Sequence, residues 1–105
     1  MPTEEEKNRP WLQSKSKELL KIFLMLKTED EVKIFLRDLL TEKEIEELGM
    51  RWHVAKMLDQ GIPFSQIEKE TGMTPGTIAR ISKWLKEGSG GYRLVIDRLK
   101  VNTEI

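Results

Sequence analysis

The sequence predicts an all-α fold, and three observations support that prediction. Apolar residues recur at spacings of three and four, which places them along one face of a helix. Capping boxes, in which a Ser or Thr is followed three residues later by Glu, occur at Thr28, Thr41 and Ser65. Alternating apolar and polar residues, β-branched runs and Asn-Gly turns, which indicate strands, are missing. The length of 105 residues predicts a single domain, 1–105.

Three helices are predicted in the first half of the chain. The first covers residues 10–27, with Pro10 in its first turn, and the second follows the capping box at Thr28. The third covers about 42–59 and ends before Gly61-Ile62-Pro63, because Gly terminates helices and Pro cannot continue them. The residues expected to face inward are, helix by helix, Leu19, Leu20, Phe23, Leu24 and Leu26; Val32, Phe35, Leu36, Leu39 and Leu40; and Ile45, Leu48, Trp52, Ala55 and Leu58.

A helix-turn-helix is predicted at 64–86. Its first helix starts at the capping box of Ser65 and Glu68 and is stopped by Gly72. Its second helix starts at Thr74-Pro75, an N-cap residue followed by Pro at the first helical position. Two short helices joined by three or four residues that include Gly are typical of this motif. The expected inward residues are Ile67, Ile78, Ile81 and Leu85.

A last helix is predicted over about 92–100, after a flexible joint at residues 88–91 that contains three glycines. Its apolar residues are spaced by three and four, so they are expected to share one face. These residues are Tyr92, Val95, Ile96 and Leu99.

The second helix of the motif has an outer side suited to DNA. Its free N–H groups and partial positive charge at the N-terminus favour a phosphate. Threonine hydroxyls can reach a phosphate or a base edge, Gly76 permits close approach, and Arg80 and Lys83 can reach a guanine edge or the backbone. The sequence therefore predicts that helix 75–86 enters the major groove of double-stranded DNA. The predicted contact residues are Thr74, Pro75, Gly76, Thr77, Arg80 and Lys83.

The net charge is zero, with 18 basic and 18 acidic residues, whereas nucleic-acid-binding proteins are usually basic. The two signs are segregated, however. Residues 29–47 carry eight acidic and three basic groups, residues 73–105 carry six basic and three acidic groups, and no acidic residue lies between Met73 and Lys86. Salt screens fields over about 8–10 Å, so local charge governs contact. A positive binding face is therefore compatible with the neutral total.

From Leu40 to Leu85, the segments LTEKEIEELGMRWHVAKMLDQG and TGMTPGTIARISKWL resemble the Trp repressor superfamily, in particular its YerC/YecD-like branch. The capping box, Leu-Gly-x-Arg, the turn and Thr-Ile-x-Arg occur in the same order. The resemblance implies an intertwined, all-α homodimer and a sequence-specific DNA-binding transcriptional regulator, by analogy a repressor. Its two recognition helices would lie about 34 Å apart, one turn of DNA.

The resemblance also implies a site for an effector. In the Trp repressor, tryptophan lies between two arginines. The matching positions here are Thr41, Arg51, Thr77 and Arg80. Ile81 and Trp84 replace a glycine and a serine that leave room for indole, and interiors tolerate little overpacking. We therefore expect the protein's own side chains to fill the pocket, Trp84 in cation–π contact with Arg80, and tryptophan not to act as effector. The identity of any other effector is left open.

Other functions have less support. The absence of cysteine excludes thiolate metal sites, the single His53 has no second ligand four residues away, and no Ser-His-Asp or phosphate-loop pattern occurs. We therefore expect the protein not to be an enzyme and to bind neither a metal nor a cofactor. Without a secretory signal or a long apolar run, a cytoplasmic protein is expected. Two alternatives stay open: an adaptor that contacts a basic protein through acidic residues 29–47, and an RNA-binding protein, although no aromatic platform is evident.

Overall fold

The computed structural model describes residues 9, 11 and 13–103, and this part of the chain contains six α-helices and no β-strand. The helices are α1 Ser14–Phe23, α2 Glu29–Leu39, α3 Glu42–Asp59, α4 Phe64–Thr71, α5 Pro75–Glu87 and α6 Gly91–Thr103. The predicted all-α class is confirmed. The chain divides into two compact units, Met1–Glu42 and Lys43–Ile105, and the single domain 1–105 stays a prediction.

In the first unit, a capping box marks the start of α2, as predicted. Thr28 Oγ1 accepts the backbone N–H of Glu31 at 3.1 Å, and the Glu31 carboxylate accepts the backbone N–H of Lys27 at 2.8 Å. α1 is shorter than the predicted helix 10–27, and Pro10 lies outside the described residues. α1 ends at Phe23 because the N–H groups that follow bond to carbonyls only three residues earlier, which tightens the last turn.

The apolar faces of α1 and α2 are largely uncovered. Leu24 is 86% exposed and α2 has no buried residue, although the rings of Phe23 and Phe35 make an edge-to-face contact at 5.7 Å. Five of the ten predicted inward positions are half-buried, but the other five are wrong for an isolated chain, since two helices alone cannot enclose a core. The residues concerned, besides Leu24, are Leu20, Phe23, Val32 and Leu39, each 37–45% exposed.

In the second unit, α3, α4 and α5 surround a small core. Its buried residues are Val54, Ala55, Met57, Ile67, Ile78 and Ile81, and Leu85 and Ile96 are also buried. The inward positions predicted for the helix-turn-helix are confirmed by this arrangement. These positions are Ile67, Ile78, Ile81 and Leu85.

The inward positions predicted for α3 are only partly correct. Ala55 is buried, but Leu48 is 47% exposed, and Val54 and Met57 are buried although they were not expected to be. Core contacts are concentrated in the C-terminal half of α3, where side chains of α4 and α5 cover a wider arc than one stripe. α3 ends before Gly61 as predicted, with the φ of Gly61 at 78°.

α6 packs on the other helices of the second unit through a single apolar row. Ile96 is buried, and Tyr92 stacks on Trp52 with ring centroids 6.4 Å apart. Val95 and Leu99 were also expected to face inward, but they are 45% and 43% exposed because only one row of α6 meets the core. The helix is also longer than predicted and continues to Thr103.

Ion pairs complete the attachment of α6 to α3. One oxygen of Asp59 accepts a hydrogen bond from Arg93 at 2.8 Å, and the other lies 2.9 Å from Lys100 Nζ. The Asp59 side chain is only 11% exposed. Hydrogen bonds with Lys100, the larger cause, and with Arg93 hold the pKa of Asp59 below its ordinary value of 3.8, because they stabilise the carboxylate.

Candidate nucleic-acid interface

The turn between α4 and α5 is three residues long and is fixed by local hydrogen bonds. Gly72 ends α4 with a φ of 73°, in the left-handed region that favours glycine, and its N–H bonds to the Glu68 carbonyl at 2.9 Å. The Thr71 hydroxyl donates to the Ile67 carbonyl at 2.6 Å and accepts the Met73 N–H at 3.2 Å. The predicted stop at Gly72 is confirmed.

The start of α4 differs from the prediction. Pro63 is the N-cap residue, and its carbonyl accepts the N–H of Ile67 at 3.1 Å, so the helix begins at Phe64. The predicted capping box of Ser65 and Glu68 is therefore wrong. Ser65 lies inside the first turn, and no side chain caps the N-terminus of this helix.

α5 starts as predicted. Thr74 has an extended backbone, and its Oγ1 accepts the N–H of Thr77 at 3.3 Å. Pro75 occupies the first helical position, where its missing N–H leaves no hydrogen bond unmade. The first turn contains no acidic residue, so the partial positive charge of the helix N-terminus is not neutralised there.

α5 has a buried face and an exposed face. The buried residues are Ile78, Ile81, Ser82 and Leu85. Among the predicted DNA contacts, Thr77 is half-buried and five are exposed: Thr74, Pro75, Gly76, Arg80 and Lys83. Ala79 is also exposed and was not predicted, although it lies three residues after Gly76 and four before Lys83, a spacing that shares one helix face. We call Gly76, Ala79, Arg80 and Lys83 the outer face of α5.

A row of hydrogen bonds joins the start of α5 to this outer face. Thr74 Oγ1 and Thr77 Oγ1 are 3.0 Å apart. Arg80 Nη2 donates to Thr77 Oγ1 at 3.3 Å. The guanidinium of Arg80 is therefore tied to the first turn of its own helix.

The basic residues of α5 have no acidic partner. Within the described part of the chain, Arg80, Lys83 and Lys86 form no ion pair, whereas Arg93 bonds to both Asp59 and Asp97. A cation without a counter-charge keeps its full attraction for an external anion. The outer face of α5 is therefore locally positive in a protein whose total charge is zero.

The effector-site residues fall into different environments. Thr41 belongs to the first unit, and Arg51, Thr77, Arg80, Ile81 and Trp84 belong to the second. Ile81 is completely buried in the core, whereas Trp84 is 45% exposed. The predicted cation–π contact of Trp84 is wrong, because Arg80 bonds to Thr77 instead, and the contact of this kind among the described residues places Lys56 over Trp52 at 5.7 Å. The effector site itself stays a prediction.

The described residues contain no cluster of three His, Cys, Asp or Glu side chains arranged to hold a metal ion. His53, the single histidine, is exposed on α3. No helix in the described ranges is both long enough and apolar enough to span a membrane.

Known proteins resemble this chain over most of its length. The family model for the Trp repressor protein matches residues 14–100. The uncharacterized protein YerC of Bacillus subtilis strain 168 is 39% identical over 89 residues, which cover 82% of this chain and 86% of YerC. The family match therefore covers the helix-turn-helix together with helices on both sides of it.

Two solved structures are also similar. A TrpR-like protein from Eubacterium eligens superposes with a TM-score of 0.80 at 34% identity, covering 88% of this chain and 96% of its own. A candidate Trp repressor from Staphylococcus aureus gives a TM-score of 0.78 at 34% identity, covering 94% and 96%. Sequence and fold therefore agree with the resemblance inferred from the motifs, and the chain belongs to the Trp repressor family, in the branch that includes YerC.

Proposed function

We propose that this protein is a cytoplasmic, sequence-specific DNA-binding transcriptional regulator that acts as a repressor. The observation that carries the proposal is the outer face of α5, where Arg80 and Lys83 are exposed and have no acidic partner within the described residues. Isoleucines on the opposite side anchor the helix in the core. Membership of the Trp repressor family supports the same function.

The proposed contact places α5 in the major groove, which at about 12 Å wide admits an α-helix. Arg80 is the base-reading residue, because a guanidinium can donate two hydrogen bonds to a guanine edge. Lys83 and the helix N-terminus at Thr74 contact phosphates. Gly76 and Ala79 have small or absent side chains, so they allow the helix backbone to approach the groove closely.

We also propose that the active form is a homodimer. The apolar faces of α1 and α2, and Val95 and Leu99 of α6, are exposed in the single chain and would be covered by a second copy. Sedimentation equilibrium tests this proposal: a dimer mass at micromolar concentration is expected. A monomer mass throughout that range would contradict it.

We further propose that tryptophan does not control DNA binding. Ile81, at a position where the family has a small residue, is completely buried, so its side chain fills interior space. Calorimetry should detect no saturable binding of L-tryptophan. Saturable binding that also tightens the affinity for DNA would contradict this proposal.

The direct test of DNA binding is selection from random duplex DNA by the purified protein. A near-palindromic consensus is expected if two copies of α5 read successive turns of the duplex. The matched measurement compares the selected duplex with a scrambled duplex of the same length and composition. Equal affinity for the two duplexes, or no retention at low salt, would contradict the proposal and favour the adaptor alternative.

A further inference from the structure

Arg80 is held by a hydrogen bond before any DNA is present. Its Nη2 donates to Thr77 Oγ1 at 3.3 Å, and Thr77 Oγ1 lies 3.0 Å from Thr74 Oγ1. Thr74 is fixed in turn, because its Oγ1 accepts the backbone N–H of Thr77 at 3.3 Å. The row therefore connects the guanidinium to the N-cap of α5 through two hydroxyl groups.

The donors and acceptors of this row leave groups free for a ligand. The two hydroxyls supply two protons, and their mutual hydrogen bond uses one of them. Whichever hydroxyl donates in that bond, Thr77 Oγ1 keeps a lone pair for Arg80, and Thr74 Oγ1 keeps one for the backbone N–H of Thr77. The guanidinium has five N–H groups, of which the described residues engage the one bonded to Thr77, so it can still form a bidentate contact with guanine.

The acceptor in this row, Thr77, has limited freedom of its own. Thr77 is β-branched and helical, so its side chain has few rotamers, and it is less exposed than Thr74 or Arg80. An arginine side chain, by contrast, has many rotamers to lose on binding. A partner that already restricts those rotamers reduces the entropy lost when DNA binds.

We infer that Thr77 is a positioning residue that holds Arg80 for base readout, so that α5 is organised for DNA before binding. This inference rests on the proposed DNA-binding function and adds a specificity-determining role to one side chain. Thr77 acts through Arg80, and its own hydroxyl is not the reader of a base.

The test is a double-mutant cycle on the selected duplex, with Thr77→Val, Arg80→Ala and the double variant. Thr77→Val keeps the side-chain shape and removes the hydroxyl, and it should weaken binding by about three- to tenfold. The same change should have little effect in the Arg80→Ala background, because the residue through which it acts is then absent. Thr77→Ser restores the hydroxyl and should recover most of the affinity.

A second readout is the base preference at the position where Arg80→Ala relaxes discrimination. Thr77→Val should reduce discrimination at that position and leave the other positions unchanged. A purely structural role of Thr77 would instead lower the thermal midpoint and weaken binding to every duplex. An undiminished effect of Thr77→Val in the Arg80→Ala background would show direct DNA contact by Thr77 and would overturn the inference.

A measurement on the unaltered protein removes any dependence on the folding of variants. NMR relaxation of the arginine Nε–H groups should show slower and smaller motion for Arg80 than for Arg98, which is exposed on α6. Equal mobility would overturn the inference while leaving DNA binding intact. Failure of the unaltered protein to bind duplex DNA would refute the proposed function instead, so the two failures are distinguishable.

Discussion

Two groups of basic side chains in the second unit differ in whether an acidic side chain pairs with them. Arg93 and Lys100 on α6 bond to Asp59, whereas Arg80 and Lys83 on α5 have no acidic partner among the described residues. The paired cations attach one helix to another, and the unpaired cations are available to an anion outside the chain. In a protein with zero net charge, the number of basic residues alone therefore does not identify the candidate interface.

The largest effect is expected from Arg80→Ala. The change should weaken binding to the selected duplex by about 1–3 kcal/mol and relax preference at one base position, because a bidentate base contact is lost. Fluorescence anisotropy with the selected and singly mutated duplexes measures both effects. Arg98→Ala, a change of the same type at an exposed position on α6, is the control and should leave binding unchanged. Equal losses in the two variants would show that the effect of Arg80→Ala is not specific to the outer face of α5.

A change in the paired group should affect the stability of the fold rather than the affinity for DNA. Asp59→Asn should lower the free energy of unfolding by about 1–2 kcal/mol, since two charge-assisted hydrogen bonds to a mostly buried carboxylate are weakened. The affinity for DNA should not change. Urea unfolding at one fixed protein concentration, followed by circular dichroism, gives the comparison. Asp97→Asn is the matched control with a smaller expected loss, because Asp97 is 56% exposed.

The pH dependence of the free energy of unfolding should distinguish the native chain from Asp59→Asn. The pKa of Asp59 is lowered in the folded chain by Lys100 and Arg93, so the unfolded chain binds more protons at low pH. The stabilisation from Asp59 is therefore complete well above pH 3.8 and decreases as the pH falls through the folded-state pKa. Urea unfolding between pH 7 and pH 3 should show the difference between the native chain and Asp59→Asn becoming smaller. A constant difference would contradict this assignment.

The smallest effect is expected from Lys83→Ala. If Lys83 contacts one phosphate, affinity should fall by a similar factor for all duplexes, and the slope of log affinity against log salt should become shallower by about one. Titrations at several salt concentrations measure this slope. Lys33→Ala, at an exposed position on α2, should leave the slope unchanged. A loss confined to one base position would indicate base readout by Lys83.

Local rules predict the helix-turn-helix well. The Thr74-Pro75 start, the Gly72 stop and the inward isoleucines all follow from interactions within a few residues, and the structure confirms them. Ser65 is the exception, because Pro63, two residues earlier, is the N-cap of α4 and its carbonyl accepts the first hydrogen bonds of the helix.

Predictions that depended on tertiary contacts succeeded less often. The exposed Leu24 and Leu99 are apolar at helical spacing, but spacing does not show whether the covering surface comes from the same chain. Arg80 has two side chains within reach on its own helix, Thr77 and Trp84, and their spacing does not decide which of them it contacts. The hydroxyl of Thr77 was the partner that bound it, rather than the ring of Trp84.

The most direct test of the proposed interface is a titration of the isotopically labelled protein with the selected duplex, followed by backbone amide shifts. The largest shifts are predicted on α5 between Thr74 and Lys83, with the Asp59 region of α3 nearly unchanged. Tight binding that leaves these α5 amides unshifted, while amides elsewhere move, would contradict the assignment of α5 as the DNA-contacting helix.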